Sequence, residues 1–375
     1  MRNARLYFLI VIALVGLACK NTSYSRDDEK HITGKEIDLI LGQFAHHGKS
    51  FYEHELIRTD LILVESPDDF VALNDKAAAL IALERYTDSE TLFLDIDKRF
   101  PNKYKVHSNL GVLYKKMEKY DLAATEIATA LKIKPGGHMG LGDYYLRMIK
   151  WKEENKKTTT VSANYDNLAL EINFLGIPYV NGYQAVQKSD LVNKEYLLTL
   201  VKNDMSFADV YFVLGDVYFA EKDMQLAIRA YYRAISLGHP RRDIAKKRIN
   251  EVIAYWEKNK TATHVVMEIR YIRQQINEEI FAAEEWLVQF QAIEKQQIDG
   301  DGDLSFEALL KLSQEKPAVK EVGYFKGTSS EGGFVGPSLK DLIIMAVSCI
   351  VIFASIFICA IILYKRYKKK KLQTL

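Results

Sequence analysis

The chain has 375 residues, of which 48% are hydrophobic and 27% are charged, and its formal net charge is +2. Eight of its cations are Arg2, Arg5 and six residues of a basic C-terminal tail, so the chain between these ends carries a net charge of −6. This mildly acidic balance argues against nucleic acid as a partner, because phosphate binding needs a clustered basic face.

The chain begins like an exported protein. The two arginines precede an unbroken apolar run that ends at Ala18, which predicts a signal peptide over residues 1–18. Cys19 follows this small residue, so it is a candidate for the lipid-modified cysteine of a bacterial lipoprotein, although Gly16 stands where leucine is preferred. Ordinary cleavage near Ala18, which leaves Cys19 unmodified, is the alternative.

Histidines and glutamates cluster near the start of the exported part and raise the question of a metal site: His46, His47, Glu53, His54 and Glu55. The four-residue spacing of a helical zinc pair is absent, and no cysteine lies nearby. We therefore predict packing and surface roles for these side chains, and no metal.

Prolines mark a repeat, because Pro67, Pro101 and Pro135 stand 34 residues apart. The best-preserved unit reads NLGVLYKKMEKYDLAATEIATALKIKP from Asn109 to Pro135. Its signature residues are Leu110, Gly111, Tyr114, Ala123, Ile127 and Ala130. In this pattern a glycine on the first helix admits a large side chain from the second. Proline stops the second helix because it has no backbone N–H to donate.

Three further segments carry the pattern to different degrees. The unit ending at Pro101 places Ala77 at the glycine position and Phe93 at the large position. Another copy has these residues in the same relative places: Leu214, Gly215, Tyr218, Ala227, Tyr231 and Ala234. The segment ending at Pro67 fits only through Tyr52, Ile62 and the proline, and we interpret it as a divergent first repeat that caps the stack.

A 34-residue period with this signature resembles the tetratricopeptide repeat family. The resemblance implies an all-α fold of antiparallel helix pairs that stack into a solenoid, here over residues 36–240, with a concave surface that binds protein segments. Through HHGKSFYEHE at 46–55 and FADVYFVLGDVYF at 207–219, residues 36–255 resemble an uncharacterised bacterial group of exported, membrane-anchored tetratricopeptide proteins. That group implies no assigned activity.

First-helix residues line the groove of such a solenoid, and the candidates here are Lys105, Asn109, Val112, Lys115, Asp209, Phe212, Asp216 and Phe219. Chaperone-binding members of the family clamp a C-terminal carboxylate with lysines, arginines and asparagines. Only Lys105 and Asn109 approach that set, and Asp209 and Asp216 oppose it. The mixed surface therefore favours an extended or helical segment of a protein partner. The alternative for each residue is packing against the neighbouring repeat.

The repeat register is lost after Pro135, and we expect an irregular insertion near residues 155–190. Gly176, Pro178 and Gly182 argue against a helix there. No nucleophile elbow, glycine-rich phosphate loop or zinc-hydrolase motif occurs in the sequence, so we predict that the protein is not an enzyme and has no cofactor. The insertion is the one place where an unrecognised catalytic site could lie.

Two helices are predicted after the repeats, within residues 241–296. The second runs from about His264 to Gln296. Its apolar stripe has spacings of three and four: Val265, Ile269, Ile272, Ile276, Ile280, Ala283, Leu287 and Phe290. We expect this helix to cap the solenoid by packing on the last repeat. The alternative is a coiled-coil seam that forms a homodimer through residues 264–296.

Residues 297–341 are predicted to form a loop, a short helix and a flexible tether. The sequence DGDGDLSFE from Asp299 resembles the start of a calcium loop, but Leu304 and Leu310 stand where the turn glycine and the bidentate glutamate belong. A turn before the helix SFEALLKLSQ is therefore favoured. The segment 315–338 is rich in Gly, Ser, Lys and Glu, as flexible linkers are.

The chain ends in a predicted membrane anchor. Leu342–Tyr364 is uncharged over 23 residues, and a helix of that length spans ~34 Å against a hydrocarbon core of about 30 Å. The basic tail 365–375 follows, and the positive-inside rule places it in the cytoplasm. The repeats then lie outside, as the signal peptide independently requires.

No cysteine lies between Cys19 and Cys349, so there is no disulfide framework, which fits a bacterial periplasm better than a eukaryotic surface. The glycosylation sequons at Asn21 and Asn259 keep the eukaryotic surface as the alternative. Together these observations predict a periplasmic tetratricopeptide scaffold, anchored in the bacterial inner membrane, that binds protein partners in the cell envelope. One alternative is a periplasmic sensor or adaptor that couples ligand binding to a membrane partner. The other is an enzyme that uses the insertion.

Overall fold

A computed structural model describes residues 36–137, 140–161, 171–259 and 269–313. Its helices are α1 Glu36–Leu41, α2 Lys49–Glu65, α3 Phe70–Ala82, α4 Tyr86–Arg99, α5 Tyr104–Lys116, α6 Tyr120–Ile133, α7 Gly142–Val161, α8 Gly182–Gln187, α9 Lys194–Asn203, α10 Ala208–Ala220, α11 Met224–Ser236, α12 Arg242–Asn259, α13 Ile269–Asp299 and α14 Phe306–Leu312. A 3-10 turn, Tyr179–Asn181, precedes α8. Within the described ranges there is no strand, and one isolated bridge joins Ile172 to Pro178. The predicted all-α fold is confirmed there.

Several predictions concern residues outside these ranges. They are the signal peptide 1–18, Cys19, the tether beyond residue 313, the transmembrane helix 342–364 and the basic tail 365–375. Among the helices that the structure describes, none has the length and apolar character needed to cross a membrane. The membrane topology therefore stays a prediction from the sequence.

Three helix hairpins carry the repeat pattern: α3 with α4, α5 with α6, and α10 with α11. In the latter two, a large side chain of the second helix fills the space beside a glycine of the first. A Cβ atom on Gly111 would lie 2.4 Å from Ile127 Cδ1, and one on Gly215 would lie 2.5 Å from Tyr231 Cδ1. This is the close packing that the repeat signature predicts.

The three hairpins share one turn geometry. Glu84, Glu118 and Lys222 have φ angles of 59°, 56° and 67°. The residue after each of them donates its N–H to the carbonyl five residues earlier, at 2.9 Å in all three turns. This left-handed ending reverses the chain and satisfies a terminal carbonyl of the first helix. The degraded unit α3–α4 is therefore built like the two better-preserved ones.

The N-terminal segment differs from the divergent repeat that the proline spacing predicts. Helix α1 is six residues long and packs against α9, α11 and α13. Helix α2 is 17 residues long and packs against α3 and α13. The segment ending at Pro67 is therefore one long helix, not a hairpin. The chain turns after α1 at Gly42, where φ is 85°, and the buried side chains of α1 hold it on other helices.

An irregular packed segment lies between the second and third hairpins. Residues 171–181 bury four apolar side chains: Phe174, Leu175, Ile177 and Tyr179. The side-chain oxygen of Asn173 accepts hydrogen bonds from the N–H groups of Leu175 and Ile177, each at 3.0 Å. These bonds replace the missing helical ones and fix the bend. Helix α8, which follows, packs against α10.

Helix α13 joins the last hairpin to the N-terminal helices. Arg229 of α11 donates Nε and Nη2 to the two carboxylate oxygens of Glu279, at 2.7 and 2.8 Å. Further along α13, Glu294 accepts the N–H of Gly48 at 2.7 Å and pairs with His47. The helix therefore packs on the last repeat, as expected, and also on the N-terminal helices, which the sequence did not predict.

The apolar stripe of α13 is buried inside the chain. Ile272, Ile276, Ala283 and Phe290 are all at most 1% exposed. Trp286 and Phe290 form a small core with Leu309 of α14. The described part of the stripe is thus covered within one chain. Phe281 and Val288 on the same helix are 61% and 67% exposed, so the homodimer through residues 264–296 stays a prediction.

Candidate functional site

The candidate groove residues lie at equivalent places on α5 and α10, the first helices of two repeats. Lys105 is half-buried. Seven others are buried: Asn109, Val112, Lys115, Asp209, Phe212, Asp216 and Phe219. The expectation of an open groove is not met, because the insertion and α12 cover this side of α10, and neighbouring elements contact the same side of α5.

Asp209 holds the insertion against α10. Its Oδ2 accepts the N–H of Phe174 at 2.6 Å, and its Oδ1 accepts the hydroxyl of Tyr179 at 2.7 Å and Nε2 of His239 at 2.9 Å. The N–H of Arg241 donates to Nδ1 of His239 at 3.0 Å, so the proton of this imidazole is on Nε2. Because Asp209, Tyr179 and His239 are buried and mutually bonded, they form a structural clamp and not an accessible catalytic group.

Asp216 lies two turns further along α10 and joins α10, α11 and α12. The hydroxyl of Tyr231 donates to its Oδ1 at 2.6 Å, and Nε of Arg248 lies 3.5 Å from the same oxygen. Burial raises the pKa of Asp216 to about 7, although the Tyr231 hydroxyl and the Arg248 charge oppose this shift. Arg248 also donates to the carbonyl of Tyr179 at 2.9 Å, which ties α12 to the insertion.

Aromatic rings fill the rest of this side of α10. Phe212 packs on Tyr179 with ring centroids 4.9 Å apart, and on His239 with centroids 5.0 Å apart. Phe219 packs on Tyr183 with centroids 4.3 Å apart. The rings of Tyr179, Tyr183 and His239 come from outside the hairpin. The insertion and the turn between α11 and α12 therefore take the place that a peptide ligand would occupy in an open groove.

The candidates on α5 contact neighbouring elements instead. Nδ2 of Asn109 donates to Oδ1 of Asn74 on α3 at 3.0 Å. Two lysines pair with Oδ2 of Asp204. Nζ of Lys115 lies 2.9 Å from this oxygen, and Nζ of Lys152 on α7 lies 3.1 Å from it. Burial alone would raise the pKa of Asp204, but the two ammonium groups hold it well below its usual range. Packing between elements, the alternative weighed from the sequence, therefore describes these residues.

The histidine cluster also packs against other residues of the chain. His47 is buried, stacks on Phe51 with centroids 3.5 Å apart and pairs with Glu294. Burial lowers the pKa of His46. Among the residues that the structure describes, no group of three or more His, Cys, Asp or Glu side chains could hold a metal ion.

The aspartates after α13 form a turn and a helix start. Asp299 pairs with Lys295 at 2.9 Å, and Asp303 accepts the N–H of Ser305 at 2.8 Å. Ser305 in turn caps α14 by accepting the N–H of Ala308 at 3.3 Å. These contacts match the turn that we favoured over a calcium loop.

The outer face of α2 is an exposed apolar surface, and none of its residues is among the groove residues predicted from the sequence. Ile57, Leu61 and Val64 are 62%, 66% and 80% exposed, and their spacing of four and three places them on one side of the helix. The opposite side buries Phe51 and Thr59. A helix with apolar residues on both sides is typical of one that is covered on both sides. We call these three residues the α2 stripe.

The sequence contains a signal for the α2 stripe. In KSFYEHELIRTDLILVE the apolar residues do not gather on one helical face, which distinguishes α2 from an ordinary surface helix. Glu53 and Asp60 lie along one flank of the stripe, and their side chains are 56% and 57% exposed. Glu53 pairs with Lys49 at 3.9 Å, and Asp60 pairs with Lys76 at 2.6 Å. The stripe is therefore an apolar surface with two lysine-paired, half-exposed carboxylates along one edge, which we call the acidic edge.

Comparison with protein families agrees with the repeat pattern in two places. The tetratricopeptide repeat family model matches residues 104–136 and 208–237, which are the hairpins α5–α6 and α10–α11. No curated protein and no solved structure matches the chain. The two matches support a tetratricopeptide repeat protein, and such repeats generally mediate interactions between proteins.

Proposed function

We propose that this protein is an exported scaffold of the bacterial cell envelope, anchored in the inner membrane, which binds a protein partner on the α2 stripe. The observation that carries the proposal is the stripe itself, since it is a set of three exposed apolar side chains on a stack whose predicted groove is filled. Tetratricopeptide repeats supply the rigid frame that presents it. The repeat domain would lie in the periplasm and the basic tail in the cytoplasm.

The location rests on the two ends of the sequence. An N-terminal apolar run after two arginines and a C-terminal uncharged run of 23 residues before six cations are independent signals for the same topology. Confinement near the membrane would raise the effective concentration of a partner that is also in the envelope. Lipidation of Cys19 would add a second anchor to this arrangement.

The chemistry of the partner follows from the acidic edge. Both carboxylates of this edge are more than half exposed, so each can accept a further cation beside its own lysine. A partner helix with apolar residues at spacings of three and four and with lysine or arginine on its flank matches both the stripe and its edge. We therefore assign the stripe to a basic amphipathic helix of another protein.

The binding test uses the full chain in detergent and two synthetic helical peptides. Both peptides carry leucines at spacings of three and four, and they differ only in flanking lysines or glutamates. We expect the lysine peptide to bind, and Leu61→Asp to weaken it about tenfold or more, because a charge would be buried in the contact. The matched control is Leu94→Asp on α4, where the leucine is 52% exposed but lies outside the stripe.

Equal binding of the two peptides would contradict the acidic edge as a determinant. An unchanged affinity in Leu61→Asp would contradict the stripe as the site. The topology is tested separately, with a reporter that is active only outside the cytoplasm fused after residue 320 and one that is active only inside fused after Leu375. Activity of the second reporter and silence of the first would reject the exported orientation.

A further inference from the structure

Three aromatic rings surround the ammonium group of Lys222. Its Nζ lies 4.4 Å from the ring centroid of Tyr255, 5.1 Å from that of Tyr183 and 5.7 Å from that of Phe219. All three distances are within the range of cation–π attraction, about 6 Å. The rings belong to α12, α8 and α10, so three separate elements converge on one cation.

The rings are not coplanar, and they enclose the cation from different directions. Tyr183 and Phe219 are inclined at 46° with centroids 4.3 Å apart, and Phe219 and Tyr255 are inclined at 79° with centroids 6.1 Å apart. Phe219 is buried and forms the floor, while Tyr183 and Tyr255 are half-buried and form walls. We call these three residues the aromatic cage.

Lys222 pairs with no carboxylate among the described residues, so the three rings are the protein groups that hold its charge there. Lys194 shows the ordinary arrangement for comparison. Its Nζ lies over one ring, that of Tyr218, and also within 2.8 Å of Glu221 and 3.4 Å of Glu36. A cation held only by ring faces does not need an anionic partner, which is the chemistry of sites that recognise alkylated ammonium groups.

The repeat pattern does not require these residues. The turns of the other two hairpins have Glu84 and Glu118 where Lys222 stands, with the same left-handed backbone. The place of Phe219 on the first helix is taken by Lys115 in the hairpin α5–α6. Tyr183 and Tyr255 lie outside the hairpin altogether. The cage and its cation are therefore features of this one corner of the molecule.

We propose that the aromatic cage is a binding site for a small soluble quaternary ammonium compound, and that the Lys222 side chain occupies the site when no ligand is bound. The backbone of Lys222 is fixed in the turn, but the residue is exposed, and its flexible side chain can leave toward solvent. A quaternary ammonium is less strongly hydrated than the primary ammonium of lysine, so it loses less on entering the cage. This site is independent of the α2 stripe and of the scaffold function.

Calorimetry of the full chain in detergent tests the site with two ligands of the same shape. Choline is the cation, and 3,3-dimethylbutan-1-ol is its uncharged counterpart. We expect choline to bind Lys222→Ala about fivefold tighter than the wild type, because the competing ammonium is gone. The uncharged alcohol should bind both proteins at least about fivefold more weakly than choline binds the variant. Lys188→Ala, which removes an exposed lysine at the end of α8, is the control and should behave like the wild type.

A second variant checks that the rings provide the site. Adding Tyr255→Leu to Lys222→Ala keeps an apolar wall but removes one ring face, and choline affinity should fall about fivefold or more. The proposal is overturned if choline does not bind Lys222→Ala, if the alcohol binds as tightly as choline, or if the double variant keeps its affinity. Thermal unfolding of each variant verifies that the fold is intact. None of these outcomes depends on whether a protein partner binds the α2 stripe.

Discussion

The hairpins α5–α6 and α10–α11 match the same family model, but their first helices have different surroundings. At one pair of equivalent positions, α5 has the half-buried Lys105 and α10 has the buried Asp209. At another, α5 has Val112 and α10 has Asp216. The signature residues that define a repeat fix the contact within each hairpin. The residues that lie between the signature positions determine which other segments pack on the hairpin. On α10 these residues bind the insertion, where an open groove would bind a ligand.

Replacing Asp209 should have the largest effect on this difference. Asp209→Ala leaves the N–H of Phe174, the hydroxyl of Tyr179 and Nε2 of His239 without their acceptor in a buried site. Each unpaired group costs about 1–3 kcal/mol, so we expect the free energy of unfolding to fall by at least about 3 kcal/mol.

Chemical denaturation of the full chain in detergent measures this change. Lys105→Ala, at the equivalent position of α5, is the matched control and should alter the free energy of unfolding by no more than about 0.5 kcal/mol. Similar losses in both variants would mean that the two repeats are covered alike.

The two signature glycines should respond differently to alanine. In Gly215→Ala the new Cβ meets the Tyr231 ring, which is held by its hydrogen bond to Asp216, so about 2 kcal/mol of stability should be lost. In Gly111→Ala the new Cβ meets Cδ1 and Cγ1 of Ile127 and, at 3.4 Å, the carbonyl oxygen of Ala123. No hydrogen bond holds the Ile127 side chain, and the gain in helix propensity of about 1 kcal/mol offsets part of the crowding, so a smaller loss is expected. Midpoints of thermal unfolding compare the two variants. A larger loss in Gly111→Ala would show that the ring is the more adaptable neighbour.

The two buried carboxylates should give the protein a recognisable pH dependence. Asp216 has a folded pKa of about 7 against about 4 when unfolded, so the folded state binds more protons between these values. The contribution of Asp216 is complete below about pH 4 and is lost as the pH rises through about 7. The stability advantage of the wild type over Asp216→Asn should therefore shrink between pH 5 and 7, by at most about 1.4 kcal/mol per pH unit.

Asp204 provides the control for this measurement because its pKa is shifted in the opposite direction. Its stabilising contribution is present above the unfolded pKa of about 4 and is lost only as the pH falls through its lower folded value. The stability loss in Asp204→Asn should consequently be constant from pH 5 to 7. A slope in that variant, or a flat difference for Asp216→Asn, would contradict the assignment of the two environments.

The parts of the fold that the sequence predicted are those set by residues close together in the chain. The glycine at 111 and the large residue at 127 are sixteen positions apart in one hairpin, and their contact follows from the repeat period. The cover over α10 could not be predicted in this way, because Phe174 and His239 reach Asp209 from distant segments. Charged residues on the otherwise apolar helix α10 predict a surface that faces a ligand, but Asp209 and Asp216 face other parts of the same chain.

The smallest effect should come from the contact between successive repeats. Asn109→Val gives α5 the valine that α10 has at the equivalent position 213. This variant leaves the side-chain oxygen of Asn74 without its donor, which costs about 1 kcal/mol. Oδ1 of Asn109 is itself buried and has no hydrogen-bond partner among the described residues, so removing it returns part of that cost. We expect a net change in the free energy of unfolding of less than about 1 kcal/mol. A double-mutant cycle with Asn74→Ala isolates the pair, and a coupling above that value would mean that this polar contact, and not the apolar packing around it, fixes the register between the two repeats.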